Sequence, residues 1–312
     1  DKKIILAIII CCIIGILASA SVIVFSKKTV EVAVTNVNDT HTELNENAKD
    51  NKDVAYQENK KSNSQEEQNT NKSEEQTPSE ELKKNEEKIP TEEFNQEEFI
   101  NKVKNVYNGE EGKRVFLTFD DGPTKEVTPH ILDILAEYNV KATFFVLGNR
   151  VEQNPELVKR AYAEGHYIAN HSYSHKYSSV YKNADTVIAE YNKTENSIRK
   201  ALGIESYSSY LFRFPGGSHG GPYEKIKKEA RKKLNDSGVA FMDWSALTYD
   251  AEGANNKEKI LENLKETING WNNVVVLMHD AADKKITYET LDDVIKYLQD
   301  EGYKFENIYD LM

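Results

Sequence analysis

The chain has 312 residues, a formal net charge of −12 and two cysteines, Cys11 and Cys12. That acidity argues against nucleic acid as a partner, and the lack of any cysteine after Cys12 excludes a disulfide framework in the rest of the chain. An apolar content of 38% is low for a wholly globular protein, so the composition has to be read by segment.

Lys2-Lys3 precede an uncharged run from Ile4 to Phe25, closed by Ser26-Lys27-Lys28. Its length matches the roughly 20 residues a helix needs to cross a bilayer core, which predicts a transmembrane anchor over residues 1–28 and export of the remainder of the chain. A cleaved signal segment ending near Ala18-Ser19-Ala20 is the rival reading; against it, the apolar run continues through Val22-Ile23-Val24-Phe25. Residues 29–96 are rich in Asn, Glu, Lys, Gln, Thr and Ser and have no apolar period. Such a stretch cannot bury enough surface to offset its ordering entropy and is expected to be a disordered polar linker, a tether that lets an anchored domain reach material at a distance.

Residues 97–312 carry the folded domain. Phe99, Ile100, Val103 and Val106 have helical spacing. Val115 to Phe119 alternate as a strand, and Asp120-Asp121-Gly122-Pro123 stop it, leaving two carboxylates at the strand's end. Thr128-Pro129 can start a helix bearing Ile131, Leu132, Ile134 and Leu135. Ala142–Val146 reads as a buried strand, Pro155–Ala163 as a helix ending at Gly165, and Tyr167–Ala169 as a third strand. Strand and helix alternate, the pattern of a parallel α/β fold.

Adjacent acids repel unless a cation or a shared proton separates their roles, so the Asp pair suggests one ligand and one base. Directly after the third strand comes His171-Ser172-Tyr173-Ser174-His175. Two histidines four apart would share one face of a helical turn and could grip one ion. With one carboxylate they make a three-ligand site with open positions for water, as hydrolytic metal centres require.

Four motifs in order, Thr118-Phe-Asp120-Asp121-Gly122, His171-Ser-Tyr-Ser-His175, Arg213-Phe-Pro215-Gly216-Gly217 and Leu277-Met278-His279, resemble the NodB-type polysaccharide deacetylases of carbohydrate esterase family four. The resemblance runs from about Lys113 to Met312 and implies a distorted (β/α) barrel. It also implies that Asp121, His171 and His175 hold a divalent metal, zinc or else cobalt, nickel or manganese. Asp120 would be the base that takes a proton from water, and Arg213 would orient it. His279 would protonate the leaving amine, Pro215-Gly216 would present a backbone N–H to the oxyanion, and Leu277 would line the acetyl pocket. Similar enzymes carry an Asp-x-x-Asp-Trp pattern that tunes the catalytic histidine, whereas this chain has Leu247 for the first aspartate and Ala251 for the tryptophan. Asp250 survives, so either it or Asp243 is expected to support His279, or the histidine is tuned less strongly, and Asp250 is also expected to be substrate-binding.

The resemblance thus implies a membrane-tethered, extracytoplasmic N-deacetylase of cell-wall glycan. N-Acetylglucosamine of peptidoglycan is the first candidate substrate, with MurNAc, chitin oligomers or an exopolysaccharide as alternatives. From another class, a catalytically inactive carbohydrate-binding domain could keep the same fold. His219 lies beside the Pro-Gly-Gly turn and could touch substrate, while His130 and His166 are expected to be ordinary histidines.

Overall fold

A computed structural model describes residues 94–108 and 112–312, all within one compact unit, Gln76–Met312. The anchor and nearly all of the linker expected from the sequence lie outside the described residues. Among the described residues, no helix is long and apolar enough to cross a membrane.

Helix α1 (Gln96–Lys104) is capped by the Asn95 side chain, which accepts from Glu98 N, and it buries Phe99, Ile100 and Val103. Strand β1 (Lys113–Asp120) follows, then α2 (Thr128–Glu137) with its proline in the first turn, β2 (Thr143–Val146), α3 (Gly148–Gln153), α4 (Pro155–Ala163) and β3 (Tyr167–Asn170). The chain continues through α5 (Tyr177–Val180), the long α6 (Ala184–Leu202), β4 (Leu211–Phe212), α7 (Glu224–Asp236), β5 (Ala240–Phe241) and β6 (Ala246–Leu247). It ends with α8 (Lys257–Ile268), β7 (Asn273–His279), α9 (Lys285–Asp300), β8 (Tyr303–Glu306) and a short 3-10 turn. The helix starts at Thr128 and Pro155 fall where the sequence placed them.

The strands form one parallel sheet in the order β5-β4-β3-β2-β1-β7-β6. Strand β1 is its hub. It pairs with β7 along nearly its whole length, with β8 at its beginning, and with β2 at its end. Strands β5 and β6 are not paired with one another among the described residues, so the expected distorted barrel is an open, curled half-barrel.

Strand alternation decides what faces the inside of the curl. Val115, Leu117 and Phe119 of β1 and Val274, Val276 and Met278 of β7 join the core packed under α2, α4, α8 and α9. Phe116, Val275, Phe145, Tyr167, Ala169 and Leu211 point the other way, into a second cluster closed by Phe99 and Val103 of α1. Continuing that second parity to the strand ends gives Thr118 and Asp120, Leu277 and His279, His171, and Arg213. The register sets Asp120 opposite His279 and Thr118 opposite Leu277. The same two-residue period that builds the core therefore gathers the polar residues of four strand ends at one mouth.

Candidate active site

Asp121 follows β1 with φ of +79°, a left-handed conformation that a non-glycine residue adopts only when its surroundings enforce it. Its Oδ1 lies 3.4 Å from His175 Nε2 and 3.7 Å from His171 Nε2. One candidate ligand atom from each of the three residues falls within 4.8 Å of the others. Asp121 Oδ1 is buried without a hydrogen-bond partner, as expected of an atom whose partner is a cation. His171 Nδ1 donates to the Arg213 carbonyl at 2.8 Å, which fixes the tautomer and leaves Nε2 with its lone pair toward Asp121. Burial, helped by His175, holds the His171 imidazole down at about 3, so it stays neutral. The residues present fit a divalent metal.

The turn expected at 171–175 is not helical. Ser172 has φ of +72° and His175 φ of +57°, both incompatible with a right-handed helix. Asn170 Oδ1 accepts from Ser172 N at 3.1 Å, and Ser172 Oγ accepts from His175 N at 3.2 Å. Glu190, reaching over from α6, accepts from Tyr173 N at 2.9 Å, Ser174 N at 2.7 Å and Ser174 Oγ at 3.0 Å. One carboxylate thus holds the loop between the two imidazoles.

Asp120 is buried, with Oδ2 3.6 Å from His171 Nε2 and Oδ1 2.8 Å from Arg213 Nη1. Arg213 is fully buried, not a surface residue. Its other hydrogen bonds run to Thr118 Oγ1, the Met242 carbonyl and the Asp243 carbonyl, and its guanidinium lies 3.9 Å from the centre of the Phe145 ring. Burial pushes the Asp120 carboxyl above its usual range, and Arg213 and His279 offset that rise without cancelling it.

On the other side of the mouth, Asp250 Oδ1 lies 2.9 Å from His279 Nδ1, while Oδ2 accepts from His279 N and Thr287 Oγ1, both at 2.7 Å. Of the two acids left open by the sequence, Asp250 is therefore the one that backs His279. Asp243 instead accepts from Ser218 N and Oγ. Asp250 is buried behind the histidine. Burial works against a charged His279, but Asp250's charge and hydrogen bond, joined by Asp121 and Asp120, outweigh it and push the imidazole up to about 10. Leu277, buried on the inner parity of β7, belongs to neither apolar cluster around the sheet.

The Pro215-Gly216 turn is held by groups without any motif. Tyr181 donates its hydroxyl to the Pro215 carbonyl at 2.6 Å, and Lys227 Nζ donates to the Gly216 carbonyl at 3.3 Å. In a trans peptide C=O and N–H point opposite ways, so anchoring the Pro215 carbonyl inward turns the Gly216 N–H outward. Asp280, next to His279, is also buried; it accepts from Thr128 Oγ1 at 2.6 Å and packs so tightly on Gly122 that a Cβ there would collide with its carboxylate. Sequence reasoning missed Glu190, Tyr181, Lys227, Thr287 and Asp280; only Asp280, adjacent to His279, carried a positional hint. His219 is largely exposed and lies 2.7 Å from Ser218 Oγ. His130 packs on Tyr288, and His166 is buried and accepts from Ala142 N, both away from the mouth.

A family profile described as "Polysaccharide deacetylase" matches residues 107–241. Peptidoglycan-N-acetylglucosamine deacetylase PgdA of Listeria monocytogenes is 35% identical over 210 residues, covering 67% of this chain but 41% of its own length. A peptidoglycan-N-acetylglucosamine deacetylase of Bacillus cereus is 35% identical over 205 residues, 64% of this chain and 71% of that protein. Among solved structures, a CE4 esterase of Streptococcus mutans matches with a TM-score of 0.61 and 34% identity, covering 67% of this chain and 90% of its own.

Proposed function

This chain belongs to the polysaccharide deacetylases of carbohydrate esterase family four, and from that premise we propose that it removes N-acetyl groups from N-acetylglucosamine residues of peptidoglycan. The observation that carries the reading is the convergence of Asp121, His171 and His175 on one point with Asp120 beside them. The choice of wall glycan rests on the substrates named for the Listeria and Bacillus relatives.

Asp121, His171 and His175 would hold a divalent metal, for which two imidazoles and a carboxylate suit zinc, and when bound it supplies Lewis acidity toward the amide carbonyl and toward water. Asp120, oriented by Arg213, accepts a proton as the water oxygen bonds to the acetamide carbon. The Gly216 N–H, turned outward by the Tyr181 anchor, donates to the oxygen that gains charge. His279, kept protonated by Asp250, gives its proton to the glucosamine nitrogen as the C–N bond breaks, releasing acetate and a free amine. Leu277 offers an apolar wall for the acetyl methyl.

We further propose that residues 1–28 are a membrane anchor and 29–96 its tether, with the catalytic domain outside the cytoplasm next to the wall. Free amines on wall sugars would then lower sensitivity to lysozyme. The test is acetate release from defined oligomers carrying GlcNAc or MurNAc acetyl groups, after chelation and after zinc add-back. Release from GlcNAc that needs metal and vanishes in Asp120→Asn is expected. Release from MurNAc alone would move the substrate, and no metal-dependent release from either would end the proposal.

A further inference from the structure

Tyr177 stands two residues beyond His175, and its aromatic ring lies 5.7 Å from that imidazole, centre to centre. It packs edge-on against Tyr181 at 5.7 Å and Tyr223 at 6.2 Å. Tyr181 is the residue whose hydroxyl anchors the Pro215 carbonyl, so one aromatic group positions both the Pro215-Gly216 peptide and the Tyr177 ring.

The Tyr177 hydroxyl occupies the space where Gly216 lacks a side chain. A Cβ built on Gly216 would collide with Tyr177 Oη, the nearest atom to it. The amide nitrogen of a residue lies about 2.5 Å from its own Cβ position, so the hydroxyl and the outward Gly216 N–H are close neighbours. Tyr177 is 38% exposed, and its hydroxyl has no protein hydrogen-bond partner among the described residues. A phenol whose ring is held in place and whose O–H is left over, beside a backbone donor that is also left over, forms a two-donor cradle.

We propose that Tyr177 is a catalytic residue whose hydroxyl, with the Gly216 N–H, donates to the oxygen that becomes negative when water adds to the acetamide. This rests on the deacetylase reading and deepens it. Glycine at 216 then has a positive role: a side chain there would push the phenol away, and φ of +70° is the left-handed region that glycine tolerates without cost. A donor that strengthens its bond only as charge develops raises kcat and leaves substrate binding nearly unchanged.

The experiment is steady-state acetate release from a GlcNAc pentamer by the zinc-loaded full chain and by Tyr177→Phe, which keeps the ring and its packing. Removal of a single oxyanion donor costs about 100- to 1,000-fold in kcat at a sealed site; at this partly exposed position we expect about 10- to 100-fold, with KM within about twofold. Zinc affinity of the metal-free chain, read by competition with a chromophoric chelator, is expected to be unchanged. A kcat within about threefold of the parent, a rise in KM alone, or a loss explained by weaker zinc binding would each overturn the assignment. An inactive parent chain would instead overturn the deacetylase reading itself, so the two failures are distinguishable.

Discussion

Replacing Asp250 with asparagine removes one negative charge from behind His279 while keeping the shape of the side chain. In the structure the charge sits 2.9 Å from Nδ1. At an effective dielectric of about 20 that separation gives an attraction of about 6 kcal/mol, or about four pKa units before desolvation is counted. Burial works in the opposite direction, and the balance lifts His279 from 6.5 to about 10. Without the Asp250 charge, burial remains while its main counterweight is gone, so the imidazole falls by about two units or more. The protonated form needed to release the amine then becomes scarce above about pH 8. We expect the alkaline limb of the kcat profile in Asp250→Asn to move down by about two pH units. Activity at pH 8 should fall by at least about twofold and at pH 9 by at least about tenfold, with recovery near pH 6. Zinc affinity should not change, because Asp250 touches none of Asp121, His171 or His175. A pH–rate profile measured on a GlcNAc oligomer checks this. An unmoved alkaline limb, or a loss of equal size at pH 6 and pH 9, would show that Asp250 does not set the proton affinity of His279.

Two further outcomes are expected from the same contacts. Glu190→Ala frees three donors of the loop between His171 and His175, and loss of such an outer support is expected to weaken zinc binding about 10- to 100-fold; unchanged affinity in a chelator competition would mean that the loop holds its shape alone. Arg213→Met leaves Asp120 buried without its partner, so denaturant unfolding should show a loss of about 3–5 kcal/mol. With the guanidinium no longer offsetting burial, Asp120 rises further, and the acidic limb of activity should move to higher pH. A variant as stable as the parent would contradict the role of that network.

The α/β class, the helices beginning at Thr128 and Pro155, and the placing of Asp120, Asp121, His171 and His175 beyond strand ends could be read from the residues alone, while Arg213 and His279 joined them only through the family resemblance. Each of the former depends on a local rule. A strand puts alternate residues on one face, a proline opens a helix, and polar residues beyond an apolar strand emerge at its tip. Three features were decided only by the tertiary structure. The segment from His171 to His175 has spacing that suits a helical turn, yet it is an irregular loop with left-handed Ser172 and His175, held by a carboxylate from α6. The acid behind His279 lies 29 residues away along the chain, and Asp243 was as plausible until the fold brought Asp250 to Nδ1. The sheet closes only part of a barrel, because the pairing of edge strands two residues long depends on neighbours remote in sequence. Local sterics repeat along the chain and leave a period in its sequence, whereas the choice of hydrogen-bond partner across space depends on which loops meet and leaves none.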